Sequence, residues 1–343
     1  MEETLVGRSG LRVSRLALGT LTWGRDTDEH EAADQLKQFA DAGGTLVDTA
    51  ASYGEGAAEE LLGSLIGSLV PRSDLVLCTK AGVSRRAGVR RLDTSRRALL
   101  ADLDESLQRL ATDHVDLWLV HAWSDEAPLE ETLSALQHAV SSGRARYVGL
   151  SNYTGWQVQK VVDLAEFKGL ARPVTLQPQY NLLVREIEWE IVPACESTGL
   201  GLLPWSPLGG GWLTGKYTRE ERPTGATRLG EDPQRGVEAY DRRSKDERTW
   251  DVIDAVEAVA SSRGVSMAQV ALSWLVDRTM VTSVILGART VEQLQDNLGA
   301  AGLHLSEEET ERLDAASDPA PVDYPYGGPG VQQRSRVLEG AED

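Results

Sequence analysis

Short apolar runs alternate with amphipathic stretches along most of the chain. Leu16-Leu18 is the first strand candidate. Asp28 with Glu31 forms a capping pair, and Ala32, Leu36, Phe39 and Ala40 give the helix behind it an apolar stripe. Thr45-Leu46-Val47 runs into Asp48, and a helix from Ala57 to Ser68 follows. Leu75-Val76-Leu77-Cys78-Thr79 runs into Lys80 and then a loop holding Arg85, Arg86, Arg90 and Arg91. Leu100, Leu103, Leu107 and Leu110 mark the next helix. Val115-Asp116-Leu117-Trp118-Leu119-Val120 runs into His121, ahead of a helix carrying Leu129, Leu133, Leu136 and Val140. The beat continues at Arg146-Leu150, Val174-Gln177, Leu200-Pro204 and Ser283-Leu286. Apolar runs of this length, bounded by turn residues and separated by helical patterns, read as buried parallel strands.

Other segments frame this alternation. Leu5 to Val13 reads as a hairpin with Arg8-Ser9-Gly10 at its tip. A polar stretch from Thr218 to Arg243 interrupts the rhythm, and helices near Asp246-Ser261, Ser266-Arg278 and Thr290-Leu298 complete it. Eight strand-helix units predict an α/β fold, a closed (β/α)8 TIM barrel with an N-terminal β-hairpin and extra helices and loops. The barrel is expected to be one domain over residues 1–318. Residues 319–343, rich in Pro, Gly and charge, are expected to form an extended or partly disordered tail.

Composition narrows the functional classes. Hydrophobic residues make up 41% of the 343 residues, enough for a full core. No apolar run approaches the ~18 residues of a membrane span. The chain carries 35 basic against 53 acidic residues, a net charge of −18, which repels nucleic acid and anionic membranes. A phosphate-bearing ligand would therefore need a local basic pocket. Cys78 and Cys195 lack metal-ligand spacing, so no metal site is expected. With no secretion signal after the acidic amino terminus, two isolated thiols point to a reducing, cytoplasmic setting.

Asp48, Lys80 and His121 each end a strand, at the edge where α/β proteins do chemistry. Tyr53 follows Asp48 by five residues. An ammonium beside a phenol stabilises the phenolate and lowers its pKa from about 10. A carboxylate beside the lysine holds its charge in place, and a histidine on the same rim orients a carbonyl oxygen. Such a set polarises and protonates a carbonyl. No side chain carries hydride, so a cofactor is required.

Asp48-Thr49-Ala50-Ala51-Ser52-Tyr53-Gly54 resembles the signature of the aldo-keto reductases, and the stretch from Gly287 to Asn297 resembles their potassium-channel β-subunit-like and bacterial branch. Lys80 and His121 occupy the places of that family's lysine and histidine. The resemblance implies a (β/α)8 barrel that reduces an aldehyde or ketone, including sugars, with NADPH. It makes Tyr53 the proton donor, with Asp48, Lys80 and His121 as its catalytic companions. Gly54-Glu55-Gly56 lacks the third glycine of a Rossmann fingerprint, and Tyr217 stands where a P-loop needs Ser or Thr. In the family's pattern, Trp205 stacks on the nicotinamide, and Ser206, Leu208, Gly209 and Lys216 follow along the pyrophosphate. Ser151, Asn152 and Gln177 take the carboxamide positions. Gly287, Arg289, Gln293 and Asn297 match the adenosine end, with Arg289 at a 2′-phosphate and Arg228 covering it from the long loop. Thr290 and Gln293 read as a capping box. Trp23 and Trp123 are expected to wall the substrate mouth. The same resemblance implies a second reading, an NADPH-occupied redox sensor or regulatory subunit with slow turnover.

Overall fold

The computed structural model describes residues 1–86, 89–219, 221–225, 228–232, 234, 236–328 and 330; for Arg85, Arg86, Arg228 and Val237 only the backbone is described. An antiparallel hairpin, β1 (Glu3–Leu5) and β2 (Arg12–Ser14), opens the chain. The barrel units follow as β3 (Leu16–Gly19), α1 (Glu29–Asp41), β4 (Leu46–Asp48), α2 (Ala57–Leu65) and β5 (Val76–Ala81). A second hairpin, β6 (Val83–Arg86) and β7 (Val89–Leu92), stands where a loop was expected. Val83 is buried and pairs in register with Leu92, so apolar side chains at the hairpin's open end hold the arginine-bearing strands together.

Next come α3 (Arg96–Arg109), β8 (Val115–Val120), α4 (Leu129–Ser141), β9 (Ala145–Ser151), α5 (Gly155–Lys168), β10 (Thr175–Gln177), α6 (Ile187–Thr198) and β11 (Gly201–Leu202). Residues 218–243 carry two short helices, α7 (Arg228–Glu231) and α8 (Tyr240–Arg243). The chain continues through α9 (Glu247–Arg263), α10 (Met267–Val276), β12 (Val284–Gly287), α11 (Val291–Leu298) and α12 (Glu307–Ser317). Beyond it, Tyr326 stacks on Trp189 of α6 at 5.6 Å between ring centroids.

Eight parallel strands pair in the order β11-β10-β9-β8-β5-β4-β3-β12. The two ends of that row meet. The Ile285 N–H donates to the Pro204 carbonyl at 3.0 Å and the Thr282 N–H to that of Leu202 at 2.8 Å. This is the (β/α)8 architecture, with helices packed outside the sheet.

Strand alternation sorts the core into two layers. Ala17, Leu46, Cys78, Leu117, Leu119, Leu203 and Ile285 form one buried cluster, together with Val6 and Val13 of the hairpin region. Leu18, Val47, Leu77, Trp118 and Val120 belong to the larger cluster shared with the helices. Asp48, Lys80 and His121 lie two residues beyond Leu46, Cys78 and Leu119. They therefore continue the inner face at the carboxyl ends of their strands.

A buried carboxylate secures this register. Glu59 of α2 is fully buried, accepts from the Thr79 hydroxyl at 2.6 Å and pairs with Arg109 of α3 at 3.3 Å. Thr79 is the residue before Lys80. Removing one partner of a buried pair leaves an uncompensated charge. Arg109→Ala is expected to lower stability by about 3 kcal/mol, read as a lower urea midpoint. Adding Glu59→Gln to that variant should recover part of the loss, because the neutral amide no longer needs a cation. An unchanged midpoint for Arg109→Ala would refute the role assigned to the pair.

Candidate active site

The loop after β4 continues the ladder along β5. The Thr49 N–H donates to the Cys78 carbonyl at 2.8 Å and the Ala51 N–H to that of Lys80 at 3.1 Å. A 3-10 turn over Tyr53–Gly56 then brings the phenol back over the strand end. His121 extends the β8–β5 ladder, its N–H donating to the Ala81 carbonyl at 2.9 Å. Three separate segments thereby deliver four side chains to one spot.

The Lys80 ammonium is at its centre. It donates to Asp48 Oδ2 at 2.7 Å, to the Thr49 carbonyl at 2.7 Å and to the Tyr53 hydroxyl at 3.2 Å. Gln177 Nε2 donates to the other Asp48 oxygen at 2.8 Å. The Tyr53 and His121 rings meet edge to face, 6.0 Å between centroids. His121 Nδ1 is buried and has no hydrogen-bond partner among the described residues.

Burial is the largest single influence and opposes a charge on Lys80, but its neighbours together, Asp48 foremost by charge and by hydrogen bond, outweigh it, and the net pKa moves up. Lys80 is a cation. His121 is pushed down to about 3 by burial and by the Lys80 charge, so its imidazole is neutral. Tyr53 corrects the expectation of an acidified phenol. Burial raises its pKa more than Lys80 lowers it. The phenol holds its proton at neutral pH, and the ammonium stands ready to stabilise the phenolate once that proton leaves.

The expected carboxamide corner is assembled but internally bonded. The Ser151 hydroxyl donates to the Gln177 carbonyl at 2.9 Å. Asn152, at φ 59°, donates to the His121 carbonyl at 2.9 Å and to Ser151 Oγ at 3.0 Å. Its side-chain oxygen accepts from the Trp205 indole at 3.1 Å, which fixes a half-buried ring. Asn181 donates to the Ser206 carbonyl at 2.8 Å, a support that only the fold reveals.

Leu208 and Gly209 begin a tight turn in which Gly209, Gly210 and Gly211 all take positive φ. The N–H groups of Gly209 and Gly211 donate back to Ser206 and Leu208. The glycines here do more than expose backbone. A Cβ on Gly211 would sit 2.2 Å from Cε of Lys216, so its absence lets the lysine lie across the turn. At the end of β12, a Cβ on Gly287 would meet nothing within 4 Å, which leaves open space at that strand end. This glycine-shaped turn with its lysine, the fixed indole and the opening at Gly287 fit an elongated anionic dinucleotide.

The adenosine end differs from expectation in three ways. Gln293 does not complete a capping box; its Oε1 accepts from the Arg289 N–H at 2.9 Å, while Thr290 accepts from the Gln293 N–H at 3.3 Å. The first N–H of α11, on Val291, is taken by the Glu31 carboxylate. Arg289 pairs with both oxygens of Glu231 at 2.9 Å. Asn297 is buried, and the Arg228 side chain lies outside the described residues.

On the substrate side, Trp123 is half-buried and its indole donates to Asp125 at 2.7 Å. Its ring meets Tyr153 and Trp156, each at 5.4 Å. Trp23 does not wall the mouth. It is fully buried, and its indole donates to Gln35 of α1 at 3.0 Å, because the turn before α1 folds it into the core. Among the described residues there is no His/Cys/Asp/Glu group suited to a metal, and no helix long and apolar enough to cross a membrane.

A sequence model described as the Aldo/keto reductase family matches residues 15–318. The chain is 34% identical to the uncharacterized oxidoreductase YrpG of Bacillus subtilis (strain 168), over 90% of this chain and 93% of that protein. It is 36% identical to L-glyceraldehyde 3-phosphate reductase of Escherichia coli (strain K12), over 92% of each. It is also 36% identical to a probable voltage-gated potassium channel subunit beta of Oryza sativa subsp. japonica, over 88% of this chain and 91% of that one. With the barrel, the ammonium-centred cluster and these matches together, the chain belongs to the aldo/keto reductase family.

Proposed function

We propose that this protein reduces an aldehyde or ketone to an alcohol, with NADPH as hydride donor and Tyr53 as proton donor. The observation that carries the reading is the Lys80 ammonium held between Asp48 and the Tyr53 hydroxyl, beside a neutral imidazole. Bound NADPH supplies the hydride for the carbonyl carbon. Tyr53 gives its proton to the carbonyl oxygen as negative charge develops there, and Lys80 stabilises the phenolate left behind. Asp48 keeps the ammonium charged and in place. His121, as a neutral ring, orients the oxygen by a hydrogen bond without becoming a competing acid.

Trp205, Ser206, Leu208, Gly209 and Lys216 would hold the nicotinamide and pyrophosphate side. Ser151, Asn152 and Gln177 would hold the carboxamide, and Gly287, Arg289, Gln293 and Asn297 the adenosine. Trp123 with Trp156 offers an aromatic wall for a small carbonyl substrate. Two buried free cysteines support a cytoplasmic setting. Similarity to the rice channel subunit supports the second reading, a slowly turning redox sensor; turnover on a broad aldehyde panel separates the two.

Tyr53→Phe removes the transferable proton and keeps the ring. Its reduction rate is expected to fall ~10²-fold or more, while fluorescence titration still shows NADPH binding. A mutant with full activity would exclude the assignment.

The His121 ring should stay neutral from about pH 8 down to about pH 5. Side-chain NMR, assigned with His121→Gln, checks this; a resonance titrating near the ordinary value of about 6.5 would contradict the buried ring. The native pKa lies below the unfolded one, so the unfolded chain binds the proton first. Stability from this residue is therefore present above about pH 6.5 and is lost progressively as pH falls toward about 3.

A further inference from the structure

Arg289 sits between β12 and α11, at the end of the cleft assigned to adenosine. Its two terminal nitrogens each donate to one oxygen of Glu231 at 2.9 Å, a two-pronged pair. Asp26 Oδ2 lies 3.7 Å from the same guanidinium. Glu31 occupies the Val291 N–H at the start of α11. Carboxylates from three segments thus converge on the helix terminus and the arginine that would otherwise attract a phosphate.

Glu231 is carried by α7, in the long segment between β11 and α9. That segment is anchored elsewhere. Glu238 is buried and pairs with Arg243 at 2.8 Å. Tyr240 stacks on Trp212 with centroids 5.4 Å apart, and Leu229 is fully buried. Placement of α7 therefore does not depend on the Glu231 charge alone.

A ribose 2′-phosphate brought to Arg289 must displace Glu231 and stand near Asp26, whose carboxylate is itself paired with Arg25. A ribose 2′-hydroxyl brings no charge and can donate to a carboxylate. We propose that Glu231 sets the cofactor preference: its carboxylate competes with the 2′-phosphate for Arg289 and weakens NADPH relative to NADH. The inference rests on the dinucleotide reading of the cleft. The pair is partly exposed, with side-chain exposures of 20% for Arg289 and 43% for Glu231, so its hold is within reach of a competing phosphate.

Quenching of tryptophan fluorescence by NADPH and by NADH measures both affinities in the full-length protein. The comparison covers the wild type, Glu231→Gln, Arg289→Ala and the double variant, with circular dichroism confirming that each is folded. Glu231→Gln is expected to tighten NADPH roughly tenfold and to leave NADH within about twofold. In the Arg289→Ala background the same substitution should change neither. Three outcomes would overturn the proposal: no gain for NADPH, an equal gain for both cofactors, or a gain that persists without Arg289. If the wild type binds both cofactors, any of these results removes the competition alone. Binding of neither cofactor to the wild type removes the dinucleotide reading as well.

Discussion

Lys80 carries its charge where water does not reach, and the site is built around satisfying it. An ammonium has three N–H donors. Here they meet three acceptors, Asp48 Oδ2, the Thr49 carbonyl and the Tyr53 hydroxyl. Two of those acceptors belong to β4 and its loop, and the third opens the 3-10 turn. One buried charge thus locks the turn, the phenol and the carboxylate to β5. The restraint extends across the barrel, since Gln177 at the end of β10 holds the second Asp48 oxygen. With β4 and β10 on opposite sides of the ring, that single bond spans the mouth.

The same charge sets the chemical state of its neighbours. Desolvation drives His121 toward neutrality, and a nearby cation drives it further. For Tyr53 the two influences oppose each other, and burial prevails. The outcome is a neutral phenol and a neutral imidazole beside a permanent cation. That combination suits a proton donor whose conjugate base is stabilised only after transfer. A phenol already ionised at neutral pH would have no proton to give to a carbonyl oxygen.

At the far end of the cleft the electrostatics run the other way. The chain carries a net charge of −18, and part of that excess is concentrated around Arg289, the predicted phosphate arginine beside α11. Glu31 and Glu231 satisfy donors that a ligand phosphate could otherwise use. Acidic composition, which in the sequence implies repulsion of nucleic acid and anionic membranes and a need for a local basic pocket, acquires a specific consequence once α1 and α7 are packed against this corner.

What the sequence determined was the barrel and the identity of the ammonium-centred cluster. Strand alternation has a period of two, so a polar residue two places after an inward Leu or Cys must also face inward. That rule carries Asp48, Lys80 and His121 to one rim without any coordinates. Tertiary structure alone decided what each group meets there. The Thr49 carbonyl, the Asn181 support and the indole bond of Trp205 arise between segments far apart in the chain, and no local pattern encodes them. Trp23 shows the same limit: its position after a strand end suggested the mouth, yet packing against α1 placed it in the core. Arg289 was legible as a cation before a helix, whereas its carboxylate partners come from residues 26 and 231, brought beside it only by closure of the barrel. Side-chain type is local information, but burial and pairing depend on the whole fold, and these set the pKa values.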